Sequence, residues 1–160
     1  MPRSVLLLFF LFGASATIAQ DVEVIKYPQL GAIINAKEDG IKVINFWATW
    51  CKPCVEEIGY FEAADSQFRD KGVSVILVSF DFGKDVEKKV QKFIDKNDLH
   101  SRVLLLDETD YNSFIDKVSP SWSGAIPATL IVNSKTGKKQ FYEKTFKEGE
   151  LSEVIEAFIN

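Results

Sequence analysis

Cys51 and Cys54, the only two cysteines in the chain, are separated by two residues in the segment Trp47-Ala48-Thr49-Trp50-Cys51-Lys52-Pro53-Cys54. Thiols at this spacing on the first turn of a helix can close a small disulfide ring. One dithiol then gives up two electrons and becomes a disulfide. The leading residue, Cys51, would face the positive end of the helix dipole and its unpaired backbone amides, which favour thiolate over thiol. Lys52 adds a positive charge beside it. Both effects predict a Cys51 pKa below the free-thiol value of about 8.5 and make Cys51 the nucleophile. Cys54, one turn further in, is then the resolving thiol. Pro53 suits a first turn because its missing N–H would have no helical acceptor there.

Other uses of two cysteines remain open at this point. A structural disulfide would close so short a loop that it constrains the unfolded chain little. A zinc half-site would need two more ligands, and the chain has one histidine, His100, which stands beside no cysteine or acid motif and reads as a loop residue. Two inert buried thiols at a chance spacing are the third alternative. The position of the pair directly after an apolar run favours redox chemistry over all three.

Composition narrows the field further. With 160 residues, 46% of them hydrophobic and 26% charged, the chain has the makings of one globular domain. Such a domain buries enough surface to need neither a metal nor a disulfide framework. The 19 basic and 23 acidic residues leave a formal net charge of -4. That balance lacks the basic footprint of a nucleic-acid binder. No Gly-x-Ser-x-Gly segment and no second histidine suggest a hydrolase, and no metal site is expected.

The first 19 residues read as a secretory signal peptide. Arg3 supplies the positive start, Val5 to Phe12 the apolar stretch, and Gly13 to Ala19 the small residues of a cleavage site, with cleavage after Ala19 or Ala16. The strongly apolar run is too short for a membrane span, which needs about 20 residues. Residues 20–160 are expected to form the working domain, exported, acidic and without stable membrane insertion.

Changes of hydrophobic period outline the elements that must position the cysteines. Val43 to Trp47, Val73 to Phe80 and Val103 to Leu106 read as buried strands, and Ala128 to Val132 with Lys139 to Phe146 as a hairpin. Between the first two strands, Val55, Ile58, Phe61, Ala64 and Phe68 mark a helix ending before Gly72. Val86, Val90, Phe93 and Ile94 mark a second helix, Tyr111 to Val118 a short one, and Leu151 to Phe158 an amphipathic C-terminal one. Leu30 to Ala36 suggests one more before the first strong strand. Strands alternating with helices imply parallel βαβ units covered on both faces, so the fold class is an α/β sandwich with a mixed sheet.

Phe46 to Cys54, followed some seventy residues later by Ala125-Ile126-Pro127-Ala128-Thr129-Leu130, resembles the thioredoxin superfamily, in particular its exported TlpA/ResA-type thiol-disulfide oxidoreductases. The resemblance runs from about Tyr27 to Phe158. It implies a thioredoxin-like three-layer α/β/α sandwich with a central mixed β-sheet, in which Val103 to Leu106 and the helix before it are the TlpA-type central insertion. It also implies a cis Ile126-Pro127 bond packed against the active-site cysteines, with backbone there able to hold an extended substrate segment. Trp50 and Ile126 would contact substrate, and Trp122 would line the same groove.

Two departures matter. Minimal thioredoxins carry a buried aspartate two positions before Trp47, where this chain has Asn45, which exchanges no proton. The TlpA/ResA branch places an acid three residues after the second cysteine, and Glu57 occupies that position. Helical spacing puts Glu57 on the face of Cys54, where a carboxylate raises thiol pKa values and can act as a general base. That branch also has a helix-kinking proline two residues later, where this chain has Gly59.

The expected activity is reduction of disulfides in other exported, periplasmic proteins by the Cys51-Cys54 dithiol, with no cofactor beyond the redox-active disulfide itself. An oxidising compartment would then require a membrane electron donor to re-reduce the pair. A thiol-dependent peroxidase-like enzyme and a non-catalytic thioredoxin-like binding module are the alternatives.

Overall fold

The computed structural model describes residues 21–159, so the expected signal peptide, residues 1–19, lies outside the described residues. A six-stranded sheet forms the centre. Its strands are β1 (Glu23–Ile25), β2 (Ile41–Trp47), β3 (Val73–Ser79), β4 (Arg102–Leu106), β5 (Ala128–Asn133) and β6 (Lys139–Tyr142). The helices are α1 (Tyr27–Asn35), α2 (Lys52–Phe68), α3 (Val86–Asn97), α4 (Ile115–Val118) and α5 (Glu150–Ile159).

The strand order is β1-β4-β3-β2-β5-β6. The first four strands of that order run parallel, whereas β5 pairs antiparallel with both β2 and β6. A mixed sheet of this kind follows from the chain's two types of connection: helical crossovers up to β4, then a tight hairpin through Asn133 to Gly137. Strand β2 is central and covered on both faces, and each of its seven residues is buried. Asn45 and Trp47 point to the face of α2 and α3, where Asn45 meets Glu57 and Trp47 packs on Phe93 at 4.9 Å between centroids. Phe46 points the other way, into an aromatic layer with Phe80 and Trp122, backed by Tyr111, Phe114 and Tyr27 of the α1 and α4 side. The result is the expected α/β/α sandwich.

Two elements differ from the sequence reading. Strand β1 went unforeseen because three residues are too short to carry a period; it is fixed by pairing Glu23 to Ile25 with Leu104 to Leu106. The last strand, expected to reach Phe146, stops at Tyr142. Beyond it the backbone leaves the ladder, since Tyr142 already pairs with Thr129 near the start of β5, and the Phe146 N–H is turned to the Glu57 carboxylate. Helix α2 runs unbroken through Gly59. The short 3₁₀ turn after it ends at Gly72, which adopts φ 76° and so starts β3 from a left-handed conformation that favours glycine.

Candidate functional site

The cysteines sit where β2 ends and α2 begins. Cys51 is the N-cap of α2, in extended conformation, and its sulfur accepts the Cys54 N–H at 3.4 Å. The two sulfurs are joined as a disulfide, with the Cα atoms 5.3 Å apart. Cys54 is fully buried, while Cys51 keeps 6% of its surface in solvent. Of the two sulfurs, only that of Cys51, at the helix N-terminus, is within reach of an outside molecule. Lys52 contributes less than expected. Its side chain is 87% exposed and lies 3.6 Å from Glu56, so solvent and that partner screen its charge from the sulfur.

The loop before β5 closes the site from the other side. The Ile126-Pro127 bond is cis, as the family resemblance implies, and the Ile126 carbonyl oxygen lies 3.8 Å from the Cys51 sulfur. Pro127 is buried and Ile126 half-buried. Glu143, just past β6, steadies this loop by accepting the Ser123 N–H at 3.0 Å, the Ala125 N–H at 3.2 Å and the Ser123 hydroxyl. These bonds, that of the Ser123 hydroxyl foremost, hold the Glu143 carboxyl below its ordinary pKa.

Trp122 is corrected from a groove-lining residue to a buried support. It is 3% exposed, packs on Phe46 and Phe141, and donates its indole N–H to the Ala125 carbonyl at 2.8 Å. Trp50, by contrast, is 56% exposed beside the disulfide. His100 lies in a loop with an exposed side chain, and its backbone N–H is bound to Glu62.

Glu57 lies one turn beyond Cys54 on α2 and is completely buried. One carboxylate oxygen accepts the Phe146 N–H at 2.6 Å and the other the Asn45 amide at 3.2 Å. Asn45 also donates to the Thr129 hydroxyl oxygen at 3.1 Å, which ties β2, α2 and β5 together behind the cysteines. Burial pushes the Glu57 carboxyl up to about 7, against the opposing pull of the Phe146 N–H and Asn45. A carboxyl in that range can both hold and release a proton near neutrality.

The sequence reading missed Asp81, which directly follows the β3 apolar run. Its side chain is fully buried and accepts the Thr49 N–H at 2.8 Å, the Thr49 hydroxyl at 2.5 Å, Ser79 at 2.9 Å and the Lys89 ammonium at 2.9 Å. Burial alone would raise its pKa, but these donors together hold it below the usual carboxylate value. Asp81 thereby pins the turn that carries Trp50 and Cys51. The available signal was a lone acid inside a stretch that is apolar and aromatic apart from Ser79, Val75 to Phe82.

Among the described residues, no three His, Cys, Asp or Glu side chains are grouped to hold a metal, and no helix is long and apolar enough to cross a membrane. The fold is shared with a thiol:disulfide interchange protein of the thioredoxin family from Chlorobium tepidum. That likeness has a TM-score of 0.63 at 14% identity, covering 81% of this chain and 85% of the other. In sequence the chain is 30% identical over 114 residues to the thioredoxin-like protein YneN of Bacillus subtilis, covering 71% of this chain and 62% of that protein. It is 42% identical over 57 residues to the thiol-disulfide oxidoreductase ResA of Oceanobacillus iheyensis, covering 36% of this chain and 28% of ResA. The matches thus span less than two thirds of these relatives. Residues 19–138 match the model of the AhpC/TSA family, and with its thioredoxin-like fold and paired cysteines the chain belongs to that family.

Proposed function

We propose that the protein is an exported thiol-disulfide oxidoreductase that reduces disulfides in other exported proteins. The observation that carries this reading is the Cys51-Cys54 disulfide at the N-terminus of α2, with one sulfur at the surface and the other buried. In the reduced form, the Cys51 thiolate attacks one sulfur of a client disulfide. A Cys51-client bond forms and the client's other sulfur leaves as a thiolate. Cys54 then gives up its proton and attacks the Cys51 sulfur, closing the intramolecular disulfide and freeing the second client thiolate. Two electrons pass from the dithiol to the client, and the two protons follow them.

The roles around the pair follow from position. Glu57, fully buried one turn from Cys54, takes the proton that Cys54 must lose. Pro127 and the Ile126 carbonyl form the wall beside Cys51, and Trp50 and Ile126 offer contact area to the client. Residues 1–19 act as the signal peptide and residues 20–160 as the thioredoxin-like domain, which places the protein in a bacterial periplasm. There a membrane electron donor returns the pair to the dithiol state.

Trapping tests the roles directly. Cys54→Ser should accumulate a mixed disulfide between Cys51 and its client, which mass spectrometry identifies, while Cys51→Ser should trap nothing and reduce nothing. Full client reduction by Cys51→Ser would remove the mechanism. Direction is read by redox titration: a potential near about -270 mV fits a reductase, and one near about -120 mV an oxidant.

A further inference from the structure

Among the described residues the exposed large hydrophobic side chains are Val24, Trp50 and Phe82, at 39, 56 and 70%. They are not scattered. The Trp50 and Phe82 rings meet edge to face, 6.4 Å between centroids and 69° between planes. Phe82 and Val24 in turn line one cleft of about 220 Å³ together with Val86, Leu105 and Leu106. Single exposed apolar residues are ordinary, whereas a contiguous group of them marks an interaction site. This group begins at the residue preceding Cys51.

The rings are held from behind. Thr49 and Asp81 immediately precede Trp50 and Phe82, and they are the two residues joined by the buried hydrogen bonds at 2.8 and 2.5 Å. Ser79 and Lys89 complete the Asp81 carboxylate. Gly83, at φ 99°, turns the chain away directly after Phe82. The turn with the nucleophile and the turn with Phe82 therefore form one unit, and the ring spacing is set without burying either ring. A surface ordered in advance avoids part of the entropy cost of binding.

We infer that Trp50 and Phe82 form a docking platform for an apolar side chain next to the client's cysteine, which makes Phe82 a specificity-determining residue. The inference rests on the thiol-disulfide exchange proposed above. The occupant is a client polypeptide in extended conformation, because the platform is continuous with the sulfur a client must reach. Cys51 is only 6% exposed, so a client disulfide reaches it only when pressed against the surrounding surface, and Trp50 is part of that surface. Two aromatic rings edge to face present their apolar faces to a leucine, methionine or aromatic side chain in preference to a polar one.

The test uses the full chain, reduced with dithiothreitol and desalted, so that a single turnover is followed without any electron donor. Its oxidants are two disulfide-linked peptides that differ only in the residue after the cysteine, Phe or Ser, and glutathione disulfide, whose cysteine is followed by glycine and so offers the platform no side chain. The wild type should prefer the Phe peptide by roughly tenfold in rate, the size of effect a buried aromatic contact gives. Phe82→Ala should reduce that preference to about two- to threefold and leave the glutathione rate unchanged, with Phe82→Leu restoring most of it. Equal rates on the two peptides in the wild type overturn the platform, as does a Phe82→Ala loss of the same size on glutathione disulfide. A wild-type dimer in sedimentation that Phe82→Ala converts to monomer, with peptide preference intact, also overturns it, since the patch would then be covered by a second copy. If the reduced protein reacts with none of the three disulfides, the exchange activity itself fails, an outcome distinct from loss of preference.

Discussion

Replacing Glu57 with Gln isolates the energetic cost of a buried carboxylate behind the redox pair. The carboxyl is raised from its ordinary 4.5 to about 7, chiefly by burial. At about 1.4 kcal/mol per tenfold change in proton affinity, that rise corresponds to roughly 3 kcal/mol. Its sign is fixed by proton counting. Below about pH 4.5 the group is protonated in both folded and unfolded chains and costs nothing. As pH rises from about 4.5 to about 7, the unfolded chain loses the proton while the folded chain keeps it, so stability falls across that window and levels off above it. Glu57→Gln removes the titration while keeping the side-chain shape and an acceptor for the Phe146 N–H, now 2.6 Å away. Urea unfolding of both proteins with the disulfide intact, at intervals from pH 4 to 8, reads the effect. The variant should start with a fixed offset from altered hydrogen bonding and then gain roughly 3 kcal/mol on the wild type between pH 4.5 and 8. The same substitution should abolish an inflection near pH 7 in the rate at which Cys54 resolves a mixed disulfide. Parallel stability curves across the whole range would refute the burial argument for Glu57.

The other two polar anchors behave differently. Asp81→Asn leaves the Lys89 ammonium without its partner and weakens the hold on Thr49, so urea unfolding at pH 7 should show a loss of about 2–4 kcal/mol. Because the folded pKa of Asp81 is depressed, its contribution is present above the unfolded value of 3.8 and disappears as pH falls through the lower folded value, so wild type and variant should converge in strong acid. Glu143→Ala removes the acceptor for the Ser123 and Ala125 amides, and hydrogen exchange at those two positions should accelerate by roughly tenfold. Unchanged exchange would mean that the loop before Pro127 is held by Trp122 alone.

Most of the sheet was legible because its strands carry long apolar runs. Val75 to Phe80 and Ala128 to Val132 are buried on both faces, and such strands declare themselves without tertiary information. The place of the cysteine pair was equally plain, since a strand-to-helix junction is a local feature. Strand β1 was not legible, because Glu23 to Ile25 owes its conformation to β4, some 80 residues away in sequence. Trp122 was misread for a related reason. Proximity to Pro127 along the chain says nothing about which side of the sheet an indole occupies, and here Phe46 and Phe141 enclose it. Asp81 and Phe82 escaped notice because one is a buried acid and the other an exposed aromatic, each the reverse of its type's usual place.

Three carboxylates thus hold the three segments that meet near the disulfide, and each does so through backbone amides. Asp81 binds the Thr49 amide, Glu143 those of Ser123 and Ala125, and Glu57 that of Phe146. Their proton affinities diverge because burial and donors are balanced differently. Asp81 is buried but receives four donors, one of them a lysine, and stays ionised. Glu143 is exposed and incurs little desolvation, so its donors lower its pKa. Glu57 is buried with two neutral donors and no cation, so desolvation prevails. Two of the anchors are therefore permanently charged at neutral pH and serve only to position the chain. The third, a single helical turn from Cys54, titrates near neutrality, which is what the proposed loss of a proton from Cys54 requires.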